Sequence, residues 1–257
     1  MIRRILAPNP SMYTGPGTNT YVIVSDGEAL VLDPGPVIEQ HMLEIITQVS
    51  DLTPVGVVVT HTHPDHAPMA NPLASRLDVP VYGYESGPQF DPDVLVADGG
   101  SIVFGSDSIT AVHTPGHTPD HLCFLHSDTL FTGDHIMGGS TVIIEDAAEY
   151  LNSLYLVRDL EVARLEPGHG DAMDDAAAVI TQYIDHRLER EVEIVAAVTN
   201  GARSVGEIVD IVYAGLPSGL RHAAVHQVGV QLVKLNREGA IWFDLESAGE
   251  RSQVRPR

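Results

Sequence analysis

The run His61-Thr62-His63-Pro64-Asp65-His66 sets three imidazoles and a carboxylate within six residues, a density of metal-ligating side chains reached nowhere else in the chain. In extended backbone, side chains two residues apart point to the same side, so His61, His63 and also Asp65 can face one point in space. Pro64 forces a turn. Asp65-His66 is then expected to open a helix, whose positive end favours the Asp65 carboxylate and lets His66 swing toward a neighbouring site. One ion cannot use all four groups comfortably. Imidazole and carboxylate suit borderline cations such as zinc, which keep an open position in catalytic sites, so further ligands must come from elsewhere. The candidates are His117 in TPGHTPDH, Asp134 in FTGDH and His169 in EPGHG, each after an expected strand and each beside a glycine that allows a tight turn. Together the seven residues make two sites: His61, His63 and His117 on one ion, Asp65, His66 and His169 on a second, and Asp134 bridging both. Taken singly, a histidine at a strand end is more often solvated or bonded to backbone; seven in this order favour a site.

These residues must be delivered by strand ends. Runs at 21–25 and 29–32 flank Asp26-Gly27 as in a hairpin, and Asp33-Pro34-Gly35 ends the second strand. A helical pattern follows through Ile38, Met42, Ile45, Ile46 and Val49, and residues 55–60 form a buried strand that hands the chain to His61. The order recurs with strands near 102–104, 109–113, 122–126 and 129–132, a helix near 147–160, and a strand at 163–166 ending in PGHG. Two such halves predict an α+β sandwich of two sheets covered by helices. From about Asp174 the pattern turns helical: a long helix over 176–198, a second opening at the capping-box spacing Ser204-Val205-Gly206-Glu207, a third over 220–236, then a short strand at 241–243. Helix, helix and strand resemble a winged-helix arrangement. The expected organisation is a catalytic domain over 1–175 and a helical, winged-helix-like domain over 176–257.

Other chemistry-bearing residues carry less. His121, four after His117, is a candidate proton donor to a leaving group or a partner that orients a ligand; Asp65 and Asp134 are the candidate catalytic carboxylates. His135 adjoins Asp134 and is a candidate pocket residue. His113 and His126 sit in or at the ends of apolar strands and read as structural, and Cys123, in Leu122-Cys123-Phe124, as an apolar filler. His222 and His226 lie four apart on one helix face without a third ligand nearby, which makes them ordinary surface residues.

Composition narrows the classes. A chain of 257 residues, 44% hydrophobic, fills one large or two modest domains. Prolines at 8 and 10 interrupt the N-terminal segment before any apolar stretch, so no secretory signal is expected there, and no run reaches membrane-spanning length. One cysteine excludes an intrachain disulfide, and a cytoplasmic location is expected. Residues 1–177 hold 5 basic against 25 acidic side chains, whereas residues 178–257 hold 9 against 10. Such a first part is a poor host for a polyanion, because non-specific nucleic-acid binding rests on lysine and arginine. Residues 220–236 carry only Arg221 and Lys234 as basic side chains, unlike a DNA-reading helix; Val225, Val228, Leu232 and Leu235 are expected to pack on the first domain or on a second subunit as a homo-oligomer.

The pattern HxHxDH, followed by a histidine, an aspartate and a histidine at wide spacings, resembles the metallo-β-lactamase superfamily at all seven positions. The opening NPSMYTGPGTNTYVI, the phrases TPGHTPDH and FTGDHIMGG, and the tail from VGEIVDIVY to VKLNREGAI are similar to the β-lactamase-like protein 2 group over nearly the whole chain. The resemblance implies an αββα sandwich with a two-metal site at one edge of the sheets, a winged-helix-like C-terminal domain, and an endonuclease acting on single-stranded RNA. Two divalent ions about 4 Å apart would share a water, lower its pKa and present it as nucleophile. Zinc suits the ligands best; manganese and iron fit as well. Hydrolysis of thioesters or other carbonyl compounds, as in glyoxalase II-like and thioesterase relatives, suits the same chemistry. A β-lactamase is the least expected, and a nucleic-acid- or protein-binding module with a regulatory metal site is the third class.

Overall fold

The computed structural model describes residues 1–139, 141–244 and 249–257. In chain order the elements are β1 (Ile2–Leu6), β2 (Asn19–Ser25), β3 (Glu28–Leu32), α1 (Glu39–Gln48), β4 (Thr53–Val58), α2 (Ala70–Leu77), β5 (Val81–Gly83), β6 (Val94–Leu95), β7 (Ser101–Phe104) and β8 (Asp107–His113). There follow β9 (Leu122–His126), β10 (Thr129–Gly133), α3 (Ala147–Arg158), β11 (Arg164–Pro167), α4 (Ala176–Thr199), α5 (Val205–Val212), α6 (Arg221–Arg237), β12 (Ile241–Phe243) and β13 (Val254–Pro256). One sheet runs β1-β2-β3-β4-β5-β6 and the other β11-β10-β9-β8-β7.

The two sheets face each other, and the strand period of two decides which residues meet. In β2, Tyr21 and Ile23 point to the other sheet, where Phe104, Ile109, Phe124 and Phe131 fill the space between. Val22 and Val24 point outward, onto Met42 and Ile45 of α1, Val49 just past it, and Leu73 of α2. Both faces being covered, β2 is buried almost throughout and lacks the polar alternation of a half-exposed strand. On the far side, Val112, Cys123 and Leu130 of the second sheet meet Tyr150, Leu154 and Val157 of α3 and Ile180 of α4. The layers are therefore helix, sheet, sheet, helix, the expected αββα sandwich. The β2–β3 hairpin turns at Asp26 and Gly27 with φ of +48° and +83°, the pair of left-handed residues that a two-residue hairpin favours.

A separate core joins Ile194, Ala197 and Val198 of α4 to Val205, Ile208 and Val209 of α5, Val228 and Leu232 of α6, and Ile241, Phe243 and Val254 of the β12–β13 ribbon. This is the winged-helix outline. Ala176, Ile180 and Ile184 at the start of α4 belong to the sandwich, so the boundary expected at 175/176 falls at the head of a helix shared by two cores.

One local expectation fails. The helix after the histidine run begins at Ala70 and not at Asp65-His66. His66 O accepts from Gly35 N–H at 2.9 Å and Met69 N–H donates to Gly35 O at 3.0 Å, so the backbone of 66–69 is tied to the loop after β3 instead of to itself. Asp65 therefore stands on a turn, without a helix end beneath it.

Candidate metal centre

Parallel pairing puts the ends of neighbouring strands on one edge. β3 and β4 are parallel, so Asp33, just past β3, lies beside Thr60 and His61, just past β4. β10 and β11 are parallel, so Asp134 and His169 emerge together. The loop after β8 carries His117, and Leu122 N–H donates to Thr60 O at 2.8 Å, which joins the two sheets at this edge. At Gly168 a side chain is excluded, because a Cβ there would lie 2.8 Å from both Asp134 Oδ1 and His66 Cε1.

All seven expected ligands meet at this edge, in two groups whose donor atoms each lie within 4.8 Å of one another: His61, His63, His117 and Asp134, and Asp65, His66, His169 and Asp134. In the first group, His117 Nε2 is 3.3 Å from His61 Nε2 and 3.1 Å from His63 Nδ1. In the second, His66 Nε2 is 3.3 Å from His169 Nε2, and His169 Nε2 is 3.1 Å from Asp65 Oδ2. Asp134 divides its oxygens between them. Oδ2 lies 3.7 Å from His117 Nε2, whereas Oδ1 lies 3.3 Å from His66 Nε2 and 3.4 Å from His169 Nε2.

The outer nitrogens are held by neighbours. His66 Nδ1 donates to Asp33 Oδ2 at 2.9 Å, Thr60 Oγ1 donates to the same oxygen at 2.8 Å, and His61 Nδ1 in turn donates to Thr60 Oγ1 at 3.0 Å. Thr60 N–H completes the carboxylate's contacts at Oδ1, 2.8 Å away. Asp33 thus orients a histidine of each group; it is 2% exposed and has φ of +49°. In the sequence Asp33 is legible only as the end of a strand. His117 Nδ1 donates to Ile143 O at 2.6 Å and His169 Nδ1 to Gly17 O at 3.1 Å. Each such bond places the proton on the outer nitrogen and leaves the inner one free as a ligand.

Charge within the cluster is strongly redistributed. Burial alone would lower the pKa of His66, but the carboxylates of Asp134, Asp33 and Asp65 outweigh it and hold His66 well above its ordinary value. Burial likewise opposes protonation of His169, yet hydrogen bonds to Asp134 and Asp65 lift it to about 9. Burial would raise Asp134; the His66 charge and bonds from His169 and His66 hold it well below the usual carboxylate range, and Asp65 is brought to about 2 by His66 and His169 against the same penalty. His61 and His117 stay neutral, chiefly through burial. The donor set fits divalent cations. Asp134 Oδ1 is buried and faces the Nε2 atoms of His66 and His169, and His117 Nε2 faces ring nitrogens of His61 and His63, a convergence of ligand atoms that cations held there relieve.

The metallo-beta-lactamase superfamily profile matches residues 13–169, and the beta-lactamase associated winged helix domain profile matches residues 204–244. The chain belongs to the metallo-beta-lactamase superfamily. Among relatives in this superfamily, a beta-lactamase-like protein 2 homolog of Drosophila melanogaster is 31% identical, covering 93% of this chain and 88% of its own length. An atrochrysone carboxyl ACP thioesterase of Aspergillus chevalieri is 30% identical over 96% of this chain and 85% of its own. The crystal structure of a beta-lactamase domain protein from Burkholderia ambifaria superposes with a TM-score of 0.83 at 20% identity, covering 100% of this chain and 91% of that one, a likeness of fold. Metallo-beta-lactamase superfamily membership makes the chain a metal-dependent hydrolase.

His121 is brought to the site but stands behind it. It is fully buried, its Nδ1 bonds Thr114 Oγ1 at 2.9 Å, and its Nε2 accepts from Asp134 N–H at 3.1 Å. With both nitrogens engaged it orients the Asp134 backbone, and it offers no proton to a leaving group. His135, also fully buried, packs on Tyr150 at 5.0 Å between ring centroids and is brought to a pKa of about 3 by burial first and then the His117 charge. His113 stacks on Tyr84 and bonds Pro119 O, and His126 pairs with Asp107 at 2.7 Å, both away from the seven ligands. Burial pushes the Cys123 thiol up to about 12, as befits a filler. Asp120, which no motif in the sequence singles out, accepts from Thr62 N–H at 2.8 Å and fixes the backbone between His61 and His63.

Proposed function

We infer that the chain hydrolyses a small thioester or related carbonyl compound at a two-metal centre, with zinc as the resident ion. The observation that carries the two-metal reading is the division of Asp134 between two groups, one oxygen to each. Two ions held there would supply a water activated near neutral pH and polarise the bond to be cleaved. The protein's own share is orientation. Asp33, Ile143 O and Gly17 O hold four imidazoles with their inner nitrogens convergent, and His121 and Asp120 fix the backbone on which Asp134 and His63 stand.

The substrate class is supported by electrostatics. Every arginine in residues 1–177 is already paired with a carboxylate: Arg3 with Asp51, Arg4 with Asp171, Arg76 with Glu39, Arg158 with Asp159, and Arg164 with Glu166 and Asp174. That part has no lysine. A phosphate backbone needs free cations along its track, and a neutral thioester does not. The likeness to a thioesterase across nearly the whole chain points the same way. Single-stranded RNA, the substrate implied by the sequence resemblance, is the competing reading.

A hydrolysis panel of thioester, single-stranded RNA, phosphodiester and lactam on zinc-loaded protein tests this, with Asp134→Ala as control. Thioester turnover that the variant loses is expected. RNA cleavage without thioester turnover would replace the reading, and turnover unchanged in Asp134→Ala would end the two-metal proposal.

A further inference from the structure

Between β10 and α3 the chain passes through Val142-Ile143-Ile144 without regular secondary structure. The three carbonyls find partners on alternate sides, as successive carbonyls of a stretched chain do. Val142 O accepts from Arg187 Nη2 of α4 at 2.7 Å, and Ile144 O accepts from His226 Nε2 and Gln227 Nε2 of α6, each at 3.1 Å. Ile143 O, between them, faces the other way and accepts from His117 Nδ1 at 2.6 Å. The strip is thus held on one edge by the C-terminal helices and on the other by a residue of the first metal group.

Arg187 ties the grip together. Its Nη1 lies 3.4 Å from Gln227 Oε1, and its guanidinium lies 4.8 Å from the centre of the Tyr150 ring, whose hydroxyl donates to His135 O at 2.6 Å. Arg187 is 6% exposed and, among the described residues, forms no ion pair with a carboxylate. Keeping a guanidinium buried without a counter-charge is costly, and the carbonyl and ring contacts are what offset it. A helix that only covered the sandwich would be served better by an aliphatic residue there.

We propose that Arg187, His226 and Gln227 are positioning residues of the metal centre. By gripping the carbonyls on either side of Ile143 they fix the one acceptor that orients His117 and keeps its proton on Nδ1, so the winged-helix part tunes the first metal group and leaves the second alone. The inference rests on the two-metal reading above. Glu145 N–H and Asp146 N–H also tether the strip, to Gly116 O at 2.7 and 3.1 Å, so loosening the grip weakens the group without abolishing it.

The test is a cobalt(II) titration of the metal-free whole chain, followed by visible absorption and by ion stoichiometry in native mass spectrometry. His63→Ala and Asp65→Asn assign the absorption of each group. Wild type is expected to take up two ions; failure there counts against the two-metal reading itself. In the double variant His226→Leu, Gln227→Leu, the first group should bind about tenfold more weakly, at the low end of what loss of a supporting bond costs, with the second group unchanged. Arg187→Lys, which keeps the charge but not the fork, should do the same, and carries the test should the double variant not fold. His226→Leu alone leaves the Gln227 bond and should recover most of the affinity. Unchanged affinity at both groups, or an equal fall at both, would overturn the proposal.

Discussion

Asp33 orients imidazoles of both groups, His66 directly and His61 through Thr60. An Asp33→Asn variant keeps its size but replaces one acceptor oxygen with a donor, so both ions should bind 10–100-fold more weakly, as measured by competition with a chelator of known affinity. In the metal-free cluster, His66 lies well above its ordinary pKa and His169 at about 9, so both carry a proton at pH 7. Metal uptake displaces them: calorimetry in buffers of different ionisation enthalpy should find about two protons released, and uptake should weaken as the pH falls. The sign for stability is the reverse. A folded-state pKa above the unfolded value of 6.5 contributes stability that is complete below 6.5 and fades as the pH rises through about 9, so the urea midpoint of the metal-free protein should fall across that window. Gly168→Ala puts a methyl 2.8 Å from Asp134 Oδ1 and His66 Cε1, both within the rigid site; loss of the second ion from a protein that still folds is expected, checked by metal analysis and circular dichroism.

At the scale of elements, two helix starts follow the capping rules closely. Asp146 accepts from Ala148 N–H and Glu149 N–H at 2.9 and 3.1 Å to open α3, and Ser204 accepts from Glu207 N–H at 3.3 Å to open α5. In the second, Glu207 reaches back to Arg203 N–H at 2.7 Å, one residue before the position the capping box specifies. Asp146→Ala should cost about 1 kcal/mol in a urea unfolding curve, the usual value of a lost cap. The third helix start, α2, departed from its local signals because Gly35 takes both hydrogen bonds that a helix at Asp65-His66 would need for itself.

At the scale of the molecule, α4 decides how the parts behave together. Its first turns complete the sandwich, its last turns complete the winged-helix core, and between them Arg187 reaches the strip beside His117. Calorimetry should therefore show one unfolding transition whose calorimetric and van't Hoff enthalpies agree; two separated transitions would mean that α4 does not couple the cores. The five paired arginines of the first part set a second whole-molecule expectation. Single-stranded RNA at physiological salt should show no saturable binding by fluorescence anisotropy at micromolar protein.

What the sequence determined alone was the chemistry of the seven ligands and the strands that carry them. His61 and His63 fall in one group two residues apart, as extended backbone allows, and His117, Asp134 and His169 each stand just past a readable apolar run, so both facts are local, whereas Asp65 joins the other group from a turn. The tertiary structure decided what supports them. His66 meets Asp33 across 33 positions, Thr62 meets Asp120 across 58, and Ile144 meets His226 across 82, distances over which no periodicity operates. It also decided between the two roles open to His121, proton donor or orienting partner, making it a brace for Asp134, because only the packed loop shows both of its nitrogens taken. Ligand identity follows from side-chain type and spacing; ligand orientation follows from which distant backbone groups the sheets bring to the same edge.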